Sequence, residues 1–322
     1  MRAIMADRHG GPEVLRLAER DLPVPGPGQL LVDVEAAGVN FADIYRRQGI
    51  RPYAGDAPFA IGNEGSGTVV AAGPDTGGLG EGDRVAWADV PGSYAEQVIV
   101  PADRAVPVPD GVDLDVAAAV MLQGMTAHYL SHDTYPVGQG DPAVVHAAAG
   151  GVGLLLTQMV KMRGGVVIAT TSTPQKAELA REAGADDTAG YDNFATVARE
   201  VTGGDGAAVV YDGIGQATFD DSLAALRRRG YMVLYGGASG QVPPVDPQRL
   251  AAGGSLFLTR PTLVHYIVTR EELSKRAGDV LGWIAAGRLK VRVDRTFPLA
   301  QAAEAHRALA GRGTAGKVLL IP

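Results

Sequence analysis

The stretch that decides the fold is Val144-Val145-His146-Ala147-Ala148-Ala149-Gly150-Gly151-Val152-Gly153. An apolar run typical of a strand ends here in a glycine-rich turn, and a helical pattern follows over residues 154–162. Ala148, Gly150 and Gly153 occupy the three fixed positions of the dinucleotide-binding fingerprint, with alanine in the first. Small residues there permit a tight turn, close approach of the backbone to a pyrophosphate and close packing of the helix on the strand.

The helix that follows this turn begins with backbone N–H groups that have no partner within the helix. These groups and the positive end of the helix dipole favour a phosphate. Gly150, Gly151, Val152 and Gly153 are therefore candidate contacts for the pyrophosphate of a dinucleotide. A glycine-rich turn without a ligand is the alternative, but the position between strand and helix, with further βα units behind it, favours the nucleotide site.

Composition limits the class of protein. A chain of 322 residues is longer than one core usually serves, so two domains are predicted. The net charge of −7, without a long block of lysine and arginine, disfavours a nucleic-acid partner. Cysteine is absent, which excludes disulfides, thiolate nucleophiles and cysteine-ligated metals.

Two segments of the sequence indicate where in the cell the protein is located. Residues 1–8 contain no apolar signal-peptide region, which predicts a cytoplasmic protein. The long apolar run 143–160 includes glycines, His146 and Gln158, so it fits a buried strand and helix better than a membrane span. No membrane span is expected.

Beyond Gln123 the pattern alternates between helix and strand, which predicts a parallel sheet covered on both faces. Thr173 before Pro174 predicts a helix N-cap followed by proline at the first helical position. The predicted strands are 143–146, 166–170, 187–189, 207–211, 231–235 and 255–259. The predicted helices are 151–162, 174–183, 194–201 and 217–226.

The first part of the chain predicts a mostly β domain, because short apolar segments alternate with turns rich in glycine, proline and aspartate. Near the other end, Thr269 and Glu272 form a capping box that opens a helix. A strand–helix–strand tail follows, ends at 318–321 and is expected to return to the first domain. The predicted first-domain strands are 30–36, 67–72, 84–87 and 95–100. The predicted domains are 1–123 with 263–322, and 124–262.

Six segments in order carry a family resemblance: Gly-Val-Asn-Phe-Ala-Asp at 38–43, Gly-Asn-Glu-Gly-Ser-Gly at 62–67, Gln-Gly-Met-Thr-Ala at 123–127, the turn at 147–153, Phe-Leu-Thr-Arg-Pro at 257–261 and Gly-Lys-Val at 316–318. Over essentially its whole length the chain resembles the zinc-independent NADPH:quinone oxidoreductases, the ζ-crystallin-like branch of the medium-chain dehydrogenase/reductase superfamily. The resemblance implies an α/β fold, with a Rossmann dinucleotide-binding domain and a GroES-like, mostly β catalytic domain. It also implies a substrate cleft between the domains and a homodimer.

Two departures from zinc-dependent relatives concern the metal. Those relatives have histidine where this chain has Asn63, and cysteines at their other ligand positions. The chain therefore supports neither a catalytic nor a structural zinc site.

The end of the second predicted Rossmann strand bears on the choice of cofactor. An acidic residue there would bind the ribose 2′-hydroxyl of NAD, but the chain has Thr171 and Ser172, followed by Lys176. Hydroxyls and a lysine suit the 2′-phosphate of NADPH. By resemblance, Ser172, Lys176 and Tyr191 occupy NADPH-contacting positions. The alternative is that Lys176 is an ordinary solvated helix charge.

The remaining candidate site residues come from the resemblance. Asn40 and Thr126 would lie beside the nicotinamide, and Tyr45, Tyr53 and Arg260 near the substrate. Two alternative interpretations remain open. Tyr45 and Tyr53 are then ordinary partly buried aromatic residues, and Arg260 forms a bridge between domains or subunits. The rest of the cofactor groove would be lined by Tyr211, Ile214, Tyr235, Gly236, Leu258 and Arg312.

The absence of a nucleophile, metal site or acid–base dyad fits hydride transfer, in which the cofactor carries the chemistry. The first hypothesis is an NADPH-dependent quinone reductase acting on a small-molecule quinone. The second is an NADPH-dependent reductase of enones or 2-enoyl thioesters, with Tyr45 as proton donor. The third is a non-catalytic NADPH-binding protein. The apolar segment 255–259 is a candidate edge strand and predicts a homodimer through the nucleotide-binding domain.

Overall fold

The computed structural model describes residues 1–322. The chain forms two compact units, here called unit 1 (residues 1–123 and 267–322) and unit 2 (residues 124–266). The strands are β1 Arg2–Ala6, β2 Leu15–Glu19, β3 Gln29–Val39, β4 Phe59–Ala60, β5 Glu64–Ala72, β6 Arg84–Ala88, β7 Gln97–Pro101, β8 Val106–Pro107, β9 Pro142–Val145, β10 Val166–Thr170, β11 Asp187–Ala189, β12 Ala207–Asp212, β13 Leu226–Leu234, β14 Phe257–Thr259, β15 Val293–Pro298 and β16 Lys317–Ile321.

A chain segment able to span a membrane is not found among the helices, which are too short or too polar for that. They are α1 Phe41–Gln48, α2 Leu114–Tyr129, α3 Gly151–Met162, α4 Pro174–Glu182, α5 Phe194–Val201, α6 Phe219–Ala225, α7 Gln248–Ala252, α8 Arg270–Ala285 and α9 Ala302–Ala310.

Unit 2 is built on a six-stranded sheet in the order β11-β10-β9-β12-β13-β14. Every neighbouring pair in it is parallel, as predicted from the alternation of helix and strand. The chain reverses direction across the sheet at β9, with β10 on one side and β12 on the other. This order is that of the Rossmann fold, in which ligands bind at the carboxyl ends of the strands near that reversal.

The sequence misplaces two boundaries in unit 2. Strand β13 begins at Leu226 rather than 231, since the exposed Arg228 and Arg229 hide the strand pattern. Strand β14 begins at Phe257 rather than 255, because Ser255 has a positive φ of 59° that interrupts an extended strand. The other predicted bounds in unit 2 agree with the structure to within two residues.

Unit 1 is mostly antiparallel. Its larger sheet runs β15-β16-β3-β5-β6-β8, with β7 also paired to β3, and a smaller sheet runs β2-β1-β4. Strand β3 is therefore central, and β16 pairs with it through Val318 and Val39. The tail thus returns to the first part of the chain, as the sequence predicts. Strands β1 and β2 were not predicted.

Helix α3 packs against the end of β9 because Gly153 has no side chain. A Cβ at this position would lie 2.7 Å from the Cα of Ala148 and would also meet the Ala147 carbonyl oxygen. Both are backbone atoms, so they cannot yield as the end of a flexible side chain would. The third small residue of the fingerprint is therefore required by packing.

We expect Gly153→Ala to lower the free energy of unfolding by about 1–3 kcal/mol, since overpacking at a rigid contact costs this much. Urea denaturation followed by circular dichroism measures the change. Gly278→Ala is the matched control, because a Cβ at Gly278 in α8 meets nothing within 4 Å. Equal stabilities of the two variants would contradict the packing argument.

Candidate active site

The glycine turn places an open helix N-terminus at the carboxyl end of β9. Gly150 is the N-cap of α3, and no side chain caps the helix. The first N–H groups of the helix, from Gly151, Val152 and Gly153, have no acceptor within it. The amide of Gly150 itself is used, since it donates to the Ala147 carbonyl at 2.7 Å. This arrangement fits a phosphate group.

Asp212, at the end of β12, shapes the neighbouring loop. Its Oδ1 accepts hydrogen bonds from the backbone N–H of Ile214 at 2.7 Å and of Gly215 at 2.9 Å. Its backbone carbonyl accepts from the N–H of Tyr235 at 2.8 Å and of Gly236 at 3.3 Å. One residue thus fixes the backbone around three predicted cofactor contacts: Ile214, Tyr235 and Gly236.

His146 joins three strand ends in the interior of unit 2. Its Nε2 lies 2.9 Å from Ser222 Oγ, and its Nδ1 lies 2.8 Å from Thr170 Oγ1. Because Ser222 Oγ donates its proton to Asp212 Oδ2 at 3.0 Å, His146 Nε2 must carry the hydrogen and Nδ1 must accept from Thr170. Burial lowers the pKa of His146 to about 4, so the ring is neutral near pH 7.

The predicted 2′-phosphate corner lies just beyond β10. Ser172 is exposed, whereas Lys176 and Tyr191 are half-buried. Thr173 Oγ1 caps α4 by accepting from the Lys176 backbone N–H at 3.2 Å, which confirms the predicted N-cap. No acidic residue stands at 170–176.

Tyr211 was expected to line the cofactor groove, and for its side chain this expectation is wrong. The ring is completely buried, and the hydroxyl donates to the carbonyls of Leu130 at 3.2 Å and Tyr135 at 3.3 Å. Tyr211 is a core residue of unit 2. Its position at the end of an apolar strand did not reveal which face of the sheet it occupies.

In unit 1, Asn40 lies in a buried polar cluster. Its Nδ2 donates to Glu64 Oε2 at 2.7 Å and to the Gly38 carbonyl at 3.3 Å. Its Oδ1 accepts from Lys317 Nζ at 2.9 Å and Gln123 Nε2 at 3.2 Å. Asn40 is 3% exposed, so its amide is saturated by protein partners.

Glu64 and Lys317 form an ion pair within this cluster, and both side chains are buried. The other carboxylate oxygen of Glu64 accepts from the backbone N–H of Leu122 at 2.6 Å. The cluster therefore joins segments that are far apart in sequence, including the motifs at 38–43, 62–67, 123–127 and 316–318.

Asp43 begins a second buried chain. Its Oδ2 accepts from the Asn40 backbone N–H at 2.9 Å and the Tyr94 hydroxyl at 3.0 Å, and its Oδ1 accepts from Asn63 Nδ2 at 3.0 Å. Burial raises the pKa of Asp43 to about 6, although these hydrogen bonds act in the opposite direction. Asp43 therefore serves as an anchor at the start of α1.

The chain continues from Tyr94 to His306 and Arg47. Since the Tyr94 hydroxyl donates to Asp43, His306 Nε2 donates to Tyr94 at 3.3 Å, and His306 Nδ1 accepts from Arg47 Nη1 at 3.0 Å. Burial and the adjacent Arg47 charge lower the pKa of His306 to about 3. The imidazole is therefore a neutral link.

The remaining predicted residues are distributed over both units. Tyr45 and Tyr53 are half-buried and pack together in unit 1, with ring centroids 5.3 Å apart and planes inclined by 47°. Arg312 is exposed in unit 1, and Thr126 is 7% exposed in unit 2. Leu258 is half-buried in β14, and the exposed Arg260 donates to the Pro261 carbonyl at 3.0 Å.

Sequence reasoning missed the residues behind the site. Asp212 ends an apolar strand just before Gly213, a position where a carboxylate commonly organises a turn, so a signal was present. Glu64 and Lys317 lie inside motifs that carry the resemblance, but nothing in their local sequence marks them as buried.

The donor set does not fit a metal ion. No group of three His, Asp or Glu side chains is arranged to hold one, and cysteine is absent. Asn63 uses its amide nitrogen to bind Asp43.

Comparisons with known proteins agree with this geometry. Residues 26–110 match the family model described as alcohol dehydrogenase GroES-like domain, and residues 151–283 match that described as zinc-binding dehydrogenase. A quinone oxidoreductase from Pseudomonas aeruginosa is 42% identical over 98% of this chain and 97% of its own length. A 2-haloacrylate reductase from a Burkholderia species is 41% identical over 99% of this chain and 98% of its own length.

Among solved structures, a mycobacterial protein in complex with NADPH is 49% identical, with a TM-score of 0.96 over 100% of both chains. Fold and sequence together define a medium-chain dehydrogenase/reductase with a GroES-like and a Rossmann domain. Within this superfamily the chain belongs to the quinone oxidoreductase family.

The neutral His306 predicts acid sensitivity. Its folded pKa of about 3 lies below the unfolded value of about 6.5, so its contribution to stability is present above pH 6.5 and is lost as the pH falls toward 3. Between pH 7 and pH 5 this loss amounts to about 2 kcal/mol. We expect His306→Gln to lose about 2 kcal/mol less than the wild type over that interval.

Urea denaturation of both proteins at pH 7 and pH 5 measures the difference, and the comparison cancels the contributions of other groups. His265→Gln is the control, since His265 is exposed. Parallel pH profiles for wild type and His306→Gln would show that His306 is not buried in its neutral form.

Proposed function

We propose that this protein is an NADPH-dependent quinone reductase that transfers hydride to a small-molecule quinone without a metal. The observation that carries the proposal is the uncapped N-terminus of α3 at the reversal point of a six-stranded parallel sheet. The family to which the chain belongs supports the reaction type. A mycobacterial relative that is 49% identical binds NADPH.

The glycine turn would hold the pyrophosphate through the backbone N–H groups of Gly151, Val152 and Gly153, with Gly150 as the N-cap. Ile214, Tyr235 and Gly236, whose backbone Asp212 holds in place, would contact the middle of the cofactor. A fixed backbone costs little reorganisation when the ligand binds. Leu258 and Arg312 are proposed as further cofactor contacts.

The 2′-phosphate would bind at Ser172, Lys176 and Tyr191. Ser172 offers a hydroxyl at the surface, and the half-buried Lys176 lies in the first turn of α4, the positive end of that helix. The absence of an acidic residue at 170–176 removes the repulsion that selects NADH in other dinucleotide-binding proteins.

In unit 1, Tyr45 and Tyr53 are proposed to contact the quinone, since two half-buried aromatic rings fit the face of a flat conjugated ring. Asn40 and Thr126 are proposed to lie beside the nicotinamide. Because the amide of Asn40 is saturated, it would contribute a fixed van der Waals surface there rather than a new hydrogen bond.

Bound NADPH supplies the hydride. The residues of this chain bind and orient the reactants, which is the main contribution of a protein to cofactor chemistry. Water can supply the protons that complete the hydroquinone, so no buried acid is needed for a quinone.

A second candidate is the reduction of an activated carbon–carbon double bond. The 41% identical 2-haloacrylate reductase favours it. This reaction benefits from a positioned proton donor, for which the Tyr45 hydroxyl is the candidate.

We also propose a cytoplasmic homodimer that forms through β14. This strand lies at the edge of the unit 2 sheet, and its Phe257 is 48% exposed and stacks on Tyr231 with ring centroids 4.4 Å apart. An edge strand with an exposed aromatic ring requires protection from unspecific pairing, and a second copy would supply it.

The test of function follows NADPH oxidation with quinones, enones and 2-haloacrylates in parallel, using wild type and Tyr45→Phe. We expect turnover of quinones and a modest effect of Tyr45→Phe on it. A loss of kcat confined to double-bond acceptors, by about two powers of ten or more, would favour the second candidate. No turnover of any acceptor would refute the proposal.

We expect Lys176→Ala to raise KM for NADPH about ten- to a hundred-fold and to leave KM for NADH nearly unchanged, since a charge-assisted contact to the 2′-phosphate is worth roughly 1.5–3 kcal/mol. The values of kcat/KM for both cofactors with one quinone provide the measurement. Lys275→Ala, an exposed lysine of α8, is the control. Equal losses with both cofactors would mean that Lys176 has a structural role.

We expect light scattering at micromolar concentration to give a dimer for the wild type and a monomer for Phe257→Lys, because a charge on the edge strand opposes pairing. Val201→Lys is the control, as Val201 is an exposed apolar residue of the same unit outside β14. A monomeric wild type, or a dimeric Phe257→Lys, would contradict the proposed interface.

A further inference from the structure

Asn63 is a polar side chain of unit 1 to which the reaction above assigns no task. It lies between the buried residues Gly62 and Glu64 and is itself only half-buried. Its Nδ2 donates to Asp43 Oδ1 at 3.0 Å. The amide therefore has one hydrogen bond to the interior and a surface that a ligand can reach.

The partner of Asn63 fixes its orientation. An ionised carboxylate only accepts hydrogen bonds, so the nitrogen of the amide, not its oxygen, must face Asp43. An amide rotated by 180° would place Asn63 Oδ1 against the carboxylate. The second N–H of Nδ2 therefore also has a defined direction.

Asp43 is itself held by several hydrogen bonds. It is completely buried and is bound by the Asn40 N–H and the Tyr94 hydroxyl, while Tyr94 is held in turn by His306. Asn63 is thus the accessible end of a rigid buried chain. A donor held in this way needs no reorganisation when charge develops nearby.

The same carboxylate connects Asn63 to the proposed substrate residues. Asp43 lies in the first turn of α1, which also carries Tyr45, and it anchors Asn40 at the start of that helix. A half-buried, oriented N–H in this position suits a carbonyl oxygen. It suits a cation poorly, since the hydrogen of an N–H donor carries a partial positive charge.

We propose that Asn63 contacts the electron acceptor and donates its second amide N–H to a carbonyl oxygen of that acceptor. The inference rests on the proposed reductase function. Addition of a hydride to a quinone, or to a double bond conjugated with a carbonyl, moves an electron pair onto this oxygen. The N–H of Asn63 stabilises that negative charge until water supplies the proton.

The experiment compares Asn63→Ala and Asn63→Asp with the wild type, using the best acceptor that the wild type reduces. Steady-state kinetics give kcat and KM for the acceptor, fluorescence gives the Kd of NADPH, and thermal unfolding gives Tm. Gln97→Ala is the matched control, because Gln97 is another amide of unit 1 that donates to a carboxylate, that of Asp33, but at an exposed site.

We expect Asn63→Ala to lower kcat/KM for the acceptor about ten- to a hundred-fold, in the range of a lost donor to a developing oxyanion. Asn63→Asp should lose at least as much, because its carboxylate cannot donate and repels both Asp43 and the negative charge. The Kd of NADPH should stay within about twofold of the wild type, and Gln97→Ala should match the wild type throughout.

Wild-type kcat/KM in Asn63→Ala would overturn the inference while leaving the reductase function intact. The inference would also be overturned if Asn63→Ala raised the Kd of NADPH by as large a factor as it lowered kcat/KM for the acceptor. The residue would then act on the cofactor site. A wild type that reduces no acceptor would overturn the proposed function and this inference together.

Discussion

The buried ion pair between Glu64 and Lys317 is the interaction on which the centre of unit 1 depends. Removal of either partner alone would leave an uncompensated buried charge, at a cost of about 3–5 kcal/mol. The pair also leaves no room at Gly38, where a Cβ would lie 2.8 Å from Lys317 Cε and would meet the Glu64 carboxylate. With Asn40 and the N–H of Leu122 as further partners, both carboxylate oxygens of Glu64 accept hydrogen bonds from distant segments.

In unit 2, one carboxylate and one neutral imidazole connect separate segments of the chain through buried hydrogen bonds. Asp212 binds two backbone N–H groups of the loop beyond β12, and its second oxygen accepts from Thr218 and Ser222. His146 extends this network to Thr170 at the end of β10. In both units, buried polar groups hold the segments that carry the proposed cofactor and substrate contacts, and this preorganises the proposed site.

The sequence predicts most of unit 2 and less of unit 1, for a physical reason. Strand β10 and helix α3 were predicted to the residue because apolar periodicity and the glycine turn are local signals. The pairing of Glu64 with Lys317 spans 253 residues, and a lysine at the start of a strand gives the same local pattern whether it is buried or solvated. The prediction for the Tyr211 side chain failed for a related reason. Strand β12 is buried along its whole length, so its sequence does not show on which face of the sheet a given side chain lies.

The position of Lys317 in the chain has a consequence for synthesis on the ribosome. Unit 2 is one continuous segment, so all of its strands can pair once residue 266 has emerged. Unit 1 contains segments from both sides of unit 2, and strand β16 can insert beside β3 only after residues 317–321 have been synthesised. Until then Glu64 has no cationic partner, and β3 lacks a neighbour along Ala37–Val39. The nascent chain is therefore expected to carry a folded nucleotide-binding unit next to an incomplete N-terminal sheet, which is the stage at which chaperones would engage it.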